Sequence, residues 1–176
     1  MKIAVCVKQV PDAEARLRIR GDGAWIEEEG VTFVLNETDT YAVEEALQIA
    51  ERTGGEVIAF CLGPERAREA VRKVLALGAA RAVFLSEPAL LGGDALATGR
   101  ALAAAIRAEG VDLVLTGSAS TDLGFAATGS VIAGELGWPH AWLVVGVELA
   151  EDRKAVRVTV DSVTRTLDQL DQISVV

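Results

Sequence analysis

The sequence predicts an α/β domain built on a parallel sheet with helices on both faces, and three observations carry that prediction. Short apolar, β-branched runs alternate with segments of helical period four times along the middle of the chain. Gly, Pro or Asn stands at nearly every change of period, where a turn or a helix end needs it. The last fifth, from Ala141, shifts to short alternating runs around a charged turn, which reads as an antiparallel hairpin. Alternation of the first kind requires crossovers and hence a parallel sheet, with right-handed connections.

Each element follows in order. Ile3–Val7 is a continuous apolar run and reads as a strand buried on both faces. Gln9–Glu14 contains Pro11 and Asp12 and reads as a turn. Leu17–Arg20 and Ala24–Ile26 flank Gly21-Asp22-Gly23, a tripeptide suited to a hairpin turn with positive φ. Val31–Leu35 is a further extended run. Between Thr38 and Arg52, Val43, Ala46, Leu47 and Ala50 recur at i, i+3, i+4 and i+7, one face of a helix that Gly54-Gly55 stops. Glu56–Leu62 reads as a strand. Pro64 then opens a helix whose stripe is Ala67, Ala70, Val71, Val74 and Leu75, ending at Gly78. Ala82–Leu85 is the next strand, and Asp94 is placed to cap a helix running to about Ala108 with Ala95, Gly99, Leu102 and Ile106 inward. Val111–Leu115 is a strand, and a helix is expected from about Ala126 to Leu136. Ala141–Leu149 and Ala155–Val160 form the hairpin about the turn Ala150–Lys154, and Val163–Val176 adds one or two strands. The whole of 1–176 reads as a single domain.

Composition removes several function classes. The formal net charge is −9 and no Lys/Arg stripe occurs, so a phosphate-tracking nucleic-acid binder is not expected. The two cysteines, Cys6 and Cys61, sit inside apolar runs without a CxxC pattern, and the single histidine, His140, stands at a strand start. These make neither a zinc site nor a nucleophile–base pair. Membrane insertion is not expected, because no apolar run reaches about 18 residues; with no signal-peptide pattern at the start, a cytoplasmic protein is expected.

An open parallel sheet binds ligands beyond the carboxyl ends of its strands, where strand order reverses. Four segments fall at that edge: the loop after Val7, the approach Leu35–Asp39, the loop after Leu62 and the loop after Leu115. The last is Gly/Ser/Thr-rich and leads into a helix, where backbone N–H groups suit a phosphate. Residue types alone fit an ordinary strand–helix connection equally well, since neither a Walker lysine nor GxGxxG is present. Asn36 and Asp39 fit helix caps as well as ligand contacts. Lys8 fits a snorkelling edge residue or a ligand-facing cation.

Several stretches, taken in order, resemble the electron transfer flavoprotein beta subunit. They are KIAVCVKQVPD at the start, LNETDTYAVEEAL at 35–47, EVIAFCLGP at 56–64 and AVRKVLALGAARAVFL at 70–85. GGDALATGRALAAAI at 92–106, then VDLVLTGSASTD and TGSVIAGELGWP within 111–139, complete the set. The resemblance implies a Rossmann-like, adenine nucleotide alpha hydrolase-like three-layer sheet. It implies AMP in the beta subunit (or a second FAD at the same site in bifurcating members), an alpha subunit that carries FAD, and dehydrogenases as electron donors. Such a chain is an electron carrier and not a catalyst. Carried over by position, the nucleotide site implied is Cys6; Asn36, Glu37, Thr38 and Asp39; Leu62; and Asp122, Leu123, Gly124, Phe125, Ala126, Ala127, Thr128, Gly129, Ser130, Val131, Ile132, Ala133 and Gly134.

Departures from the family pattern are localised. Glu37 and Thr38 replace a Pro and an aromatic residue, which removes that packing partner for the base. Leu123–Ala127 replaces several acids and a Gln, while Thr128-Gly129 is kept. The family's Asp-Gly-Gly turn and Leu-Pro-Ala-Val-Val strand correspond here to Asp161-Ser162-Val163 and Asp171–Val176. Family chains continue into a loop that docks dehydrogenases and a tail that wraps the alpha subunit, so a short or C-terminally reduced member is expected. The alternative reading is a stand-alone homodimeric adenine-nucleotide module without electron transfer; an enzyme acting on a nucleotide ranks behind both.

Overall fold

A computed structural model describes residues 1–150, 155–160, 163–168 and 173–175. In chain order the elements are β1 (Lys2–Cys6), β2 (Gln9–Pro11), β3 (Phe33–Leu35), α1 (Glu37–Thr53), β4 (Glu56–Leu62), α2 (Arg68–Leu77), β5 (Arg81–Leu85), α3 (Ala95–Glu109), β6 (Leu113–Thr116), α4 (Thr128–Leu136), β7 (His140–Ala141), β8 (Val144–Leu149), β9 (Ala155–Val160), β10 (Val163–Asp168) and β11 (Ile173–Val175). Short 3-10 turns at Glu65–Ala67 and Pro88–Leu90 lead into α2 and α3.

The main sheet is parallel, in the order β5-β4-β1-β6-β11-β7. Two apolar layers follow from strand alternation. Ile3, Val5 and Val7, with Val57, Ala59, Cys61, Leu113 and Leu115, point to one face and pack against Val43, Ala46 and Ile49 of α1 and Ala70, Val71 and Val74 of α2. Ala4, Cys6, Ile58, Phe60 and Val114 point to the other, against Leu102, Ala103 and Ile106 of α3 and Ile132 of α4. The three-layer α/β fold expected from periodicity is therefore the observed one. Close contact of α3 and α4 depends on Gly99: a Cβ there would overlap the Val131 side chain.

The expected C-terminal hairpin is present as β8 paired antiparallel with β9, and β10 extends it to three strands. Val156 and Val158 of β9 are buried in the same layer as α1, so this small sheet covers the α1 side of the main one. Of the expected turn Ala150–Lys154, residues 151–154 lie outside the described residues, as do Asp161, Ser162, Asp171, Gln172 and Val176. The segment after Val163 supplies two strands with different fates. β10 stays in the small sheet, whereas β11 crosses into the parallel sheet between β6 and β7.

One local expectation needs revision and another holds. Gln9–Pro11 is a strand paired with Phe33–Leu35 and not a turn. Pro11 is tolerated because it ends this two-stranded ladder. Leu17–Ile26 forms a hairpin by a single bridge, Ile19 to Ile26, with Gly23 at φ +70° in its turn.

Candidate functional site

The strand order places a switch point between β1 and β6. From β1 the chain proceeds through α1 to β4 on one side, while β6 lies on the other. The exits of the two strands therefore diverge and leave a crevice at their carboxyl ends. Cys6, the last residue of β1, pairs in register with Thr116, the last of β6.

The first turn of α1 is seated between these exits. Asn36 holds the N-cap position but makes no side-chain cap bond. Its Nδ2 instead donates to Thr38 Oγ1, Asp39 Oδ1 and Ala119 O, each at 3.0 Å, and its Oδ1 accepts from the Thr121 N–H at 3.1 Å. Thr38 Oγ1 also donates to Ala119 O at 2.6 Å. Asp39 Oδ2 accepts from the Lys8 N–H at 2.7 Å, and the Gly117 N–H is a further donor to this carboxylate. Asn36 N–H in turn donates to Lys8 O at 2.9 Å. Asn36 and Asp39 are the two buried polar residues among those described, 1% and 6% exposed. Burial pushes the Asp39 carboxyl up to about 6, against the lowering effect of the Asn36 and Lys8 hydrogen bonds.

Gly117 makes that seating possible. A Cβ at this position would run into Asp39 Oδ1, Thr38 Oγ1 and the Asp39 amide nitrogen. The backbone after β6 thus lies directly against the start of α1.

Lys8 closes the other side. Its Nζ lies 2.7 Å from Asp122 Oδ1 and 3.2 Å from Ser120 Oγ. Asp122 also accepts from the Leu123 N–H at 2.7 Å, and despite partial desolvation its carboxyl is lowered by the Lys8 and Ser120 hydrogen bonds. Beyond it the loop carries two left-handed residues, Gly124 at φ +64° and Ala126 at φ +50°. A non-Gly residue in that region is uncommon and marks a sharply curved connection into α4. Leu123 and Phe125 are exposed on this loop.

The positions named from the sequence thus divide. Asn36, Thr38, Asp39 and Asp122 are joined, through Lys8 and the 117–121 backbone, into one polar cluster. Glu37 is exposed beside it. Cys6 is buried at the crevice floor, its thiol pushed up chiefly by burial and so neutral, and Leu62 ends the adjacent strand β4. Thr128, Gly129 and Ser130 form the first turn of α4, Val131 packs on Gly99, Ile132 and Ala133 are wholly buried beneath the helix, and Gly134 is exposed.

Sequence reading named the loop after Leu115 as a whole but did not single out Ala119 or Thr121 as parts of this cluster, nor Thr116 beside it. Ala119 and Thr121 take part through their backbone, which leaves no mark on residue type. Thr116 Oγ1 is buried and has no partner among the described residues, a donor–acceptor at the crevice floor that an occupant could satisfy. A cavity of about 370 Å³ shares Thr38, Thr116 and Gly117 with this site and extends between Tyr41, Ala42 and Glu45 of α1 and Val144–Val147 of β8. Among the described residues no group of three His, Cys, Asp or Glu side chains could hold a metal ion, and no helix is long and apolar enough to cross a membrane.

The fold and this crevice define a doubly wound α/β domain with a ligand crevice at its switch point. Residues 23–176 match the electron transfer flavoprotein domain, and the chain belongs to that family. It is 42% identical over 159 residues to the electron transfer flavoprotein subunit beta of Methylophilus methylotrophus, covering 89% of this chain and 60% of the relative. It is 38% identical over 157 residues to the subunit of the same name from Clostridium acetobutylicum, with the same coverage of each. Protein FixA of Azorhizobium caulinodans is 41% identical over 142 residues, 78% of this chain and 50% of that protein. The chain thus spans 60% of the length of the two beta subunits.

Proposed function

We propose that this chain, as one domain over 1–176, is a beta-type subunit of an electron transfer flavoprotein. It would bind AMP in the switch-point crevice and pair with an FAD-carrying alpha subunit that receives electrons from dehydrogenases, in the cytoplasm. One observation supports the site above others. The crevice joins a buried, unpartnered Thr116 hydroxyl to a curved small-residue loop that ends at the start of α4. A neutral floor, a hydroxyl and a helix start are a fitting set for a nucleotide.

On this reading Cys6, Leu62 and Thr116 line the floor under the base and ribose. The backbone of 36–39 forms one wall. The loop Asp122–Ala127 and the first turn of α4 take the phosphate through N–H groups, with Thr128 and Ser130 adding hydroxyl donors. Ile132 and Ala133 act by holding that turn in place, since both are buried. FAD at the same site in a bifurcating-type member would use the same walls. The flavin on the alpha subunit supplies the redox chemistry, and this chain supplies position and binding.

Co-expression with the alpha subunit of a relative tests the proposal. A yellow heterodimer on gel filtration, releasing AMP or FAD on acid quench as identified by mass, is the expected result. Separate migration of the two chains and a nucleotide-bound homodimer would instead favour a stand-alone module. A chain that releases no nucleotide would overturn the site assignment.

A further inference from the structure

We infer that the side chains of Asn36 and Asp39 are positioning groups of the crevice: they fix the separation of its β1 and β6 walls and do not themselves contact the ligand. The inference rests on the nucleotide reading above and adds what these two side chains do within it.

Their polar atoms are already engaged. Asn36 Nδ2 has two protons and three acceptors within 3.0 Å, and its Oδ1 is held by the Thr121 N–H. Asp39 accepts from the Lys8 and Asn36 nitrogens and from the Gly117 N–H. Both residues are more than nine-tenths buried. A ligand that took a hydrogen bond from either would leave a buried donor or acceptor of the protein unpaired, which is unfavourable.

The partners show what the cluster does. Lys8 follows β1, Gly117 follows β6, and Asn36–Asp39 begins α1. Asp39 therefore bridges the two strand exits through main-chain N–H groups, whose positions track the backbone itself. Asn36 extends the bridge to Ala119 and Thr121, two and four residues beyond Gly117 on the loop that carries Asp122. Gly117 supplies an independent observation. The absence of a Cβ there lets Asp39 and Thr38 touch the β6 exit, a contact that seats the start of α1 against that strand.

The test uses the full chain freed of nucleotide, with its folding checked by circular dichroism. AMP, 2′-deoxy-AMP and inosine 5′-monophosphate are titrated by calorimetry into the parent, Asp39→Asn and Gly117→Ala. Asp39→Asn sets an amide where the carboxylate meets three N–H donors; Gly117→Ala wedges the same contact without adding a polar group. The expected result is a loss of about tenfold or more, by the same factor for all three nucleotides and in both variants. It should be accompanied by shifts of the Lys8 and Thr121 amide resonances. A loss that vanishes for the deoxy or inosine ligand would show direct contact and overturn the inference, as would unchanged affinity. Should either variant unfold, Thr38→Val at the same cluster decides by the same criterion. A parent chain that binds none of the three refutes the nucleotide reading itself, and the inference falls with it.

Discussion

The main-chain N–H of Lys8 donates to Asp39 Oδ2 at 2.7 Å, joining the exit of the first strand to the first turn of a helix 31 residues further on. A carboxylate given such a task is buried with its charge, and the charge has a measurable cost.

Burial raises the Asp39 carboxyl from 3.8 to about 6. The charged or ionisable groups facing it are the Lys8 ammonium, which opposes the rise, and the thiols of Cys6 and Cys61, the latter pushed up by burial to about 12 and neutral. A raised carboxyl binds its proton more tightly in the folded chain. Its contribution to stability is therefore full below about pH 4 and is lost as pH rises through about 6. Two pKa units correspond to about 3 kcal/mol as an upper figure. Urea unfolding of the parent and of Asp39→Asn from pH 4 to pH 8 should show the parent losing stability relative to the variant across that window and levelling above about pH 7. A flat difference would refute this account of Asp39.

Gly99 and Val131 form a coupled pair. Alanine at 99 gains about 1 kcal/mol of helix propensity, but its Cβ overlaps Val131. Overpacking of this kind costs roughly 1–3 kcal/mol. Gly99→Ala should destabilise the parent and stabilise a Val131→Ala background, a reversal of sign read from denaturant midpoints. The same sign in both backgrounds would show that the two helices do not meet at this point.

Phe60 is the largest wholly buried side chain described, at the centre of the layer beneath α3 and α4. Phe60→Ala should cost about 3–5 kcal/mol. A loss under 1 kcal/mol in equilibrium unfolding would place the residue outside a packed core.

The Lys8–Asp122 pair is partly exposed, with side chains 41% and 19% accessible. Solvent-screened pairs contribute about 0–1 kcal/mol, so Lys8→Met should leave global stability nearly unchanged. Its effect should be local: hydrogen exchange at Leu123–Phe125 should speed up while the amides of β1 keep their protection. Uniform acceleration throughout the chain would contradict a local role.

Much of the architecture was legible because burial on two faces has a simple signature. Ile3 to Val7 is apolar throughout, since odd and even positions meet different helix layers. The α1 stripe was legible for Val43, Ala46 and Ala50, but Ile49 is also wholly buried and was not picked out, because a helix lying flat on a sheet buries a wider face than the narrow template. Pro11 misled toward a turn because a two-stranded ribbon tolerates proline at its end. The insertion of β11 between β6 and β7 is a long-range event that no local pattern encodes. At the site, the edge positions were legible from strand order, whereas the use of Asn36 as a staple to the opposite loop was not. An Asn before a helix looks the same whether it bonds its own first turn or a distant carbonyl.

The late arrival of β11 has a consequence for synthesis on the ribosome. β6 gains its second neighbour only when residues 173–175 have left the exit tunnel, after the small antiparallel sheet has been made. Until then the nascent sheet presents β6 as an open edge, a template for unintended pairing. β11 is thus delivered to an interior position, between β6 and β7 and not at the rim, where it closes the gap beside the crevice.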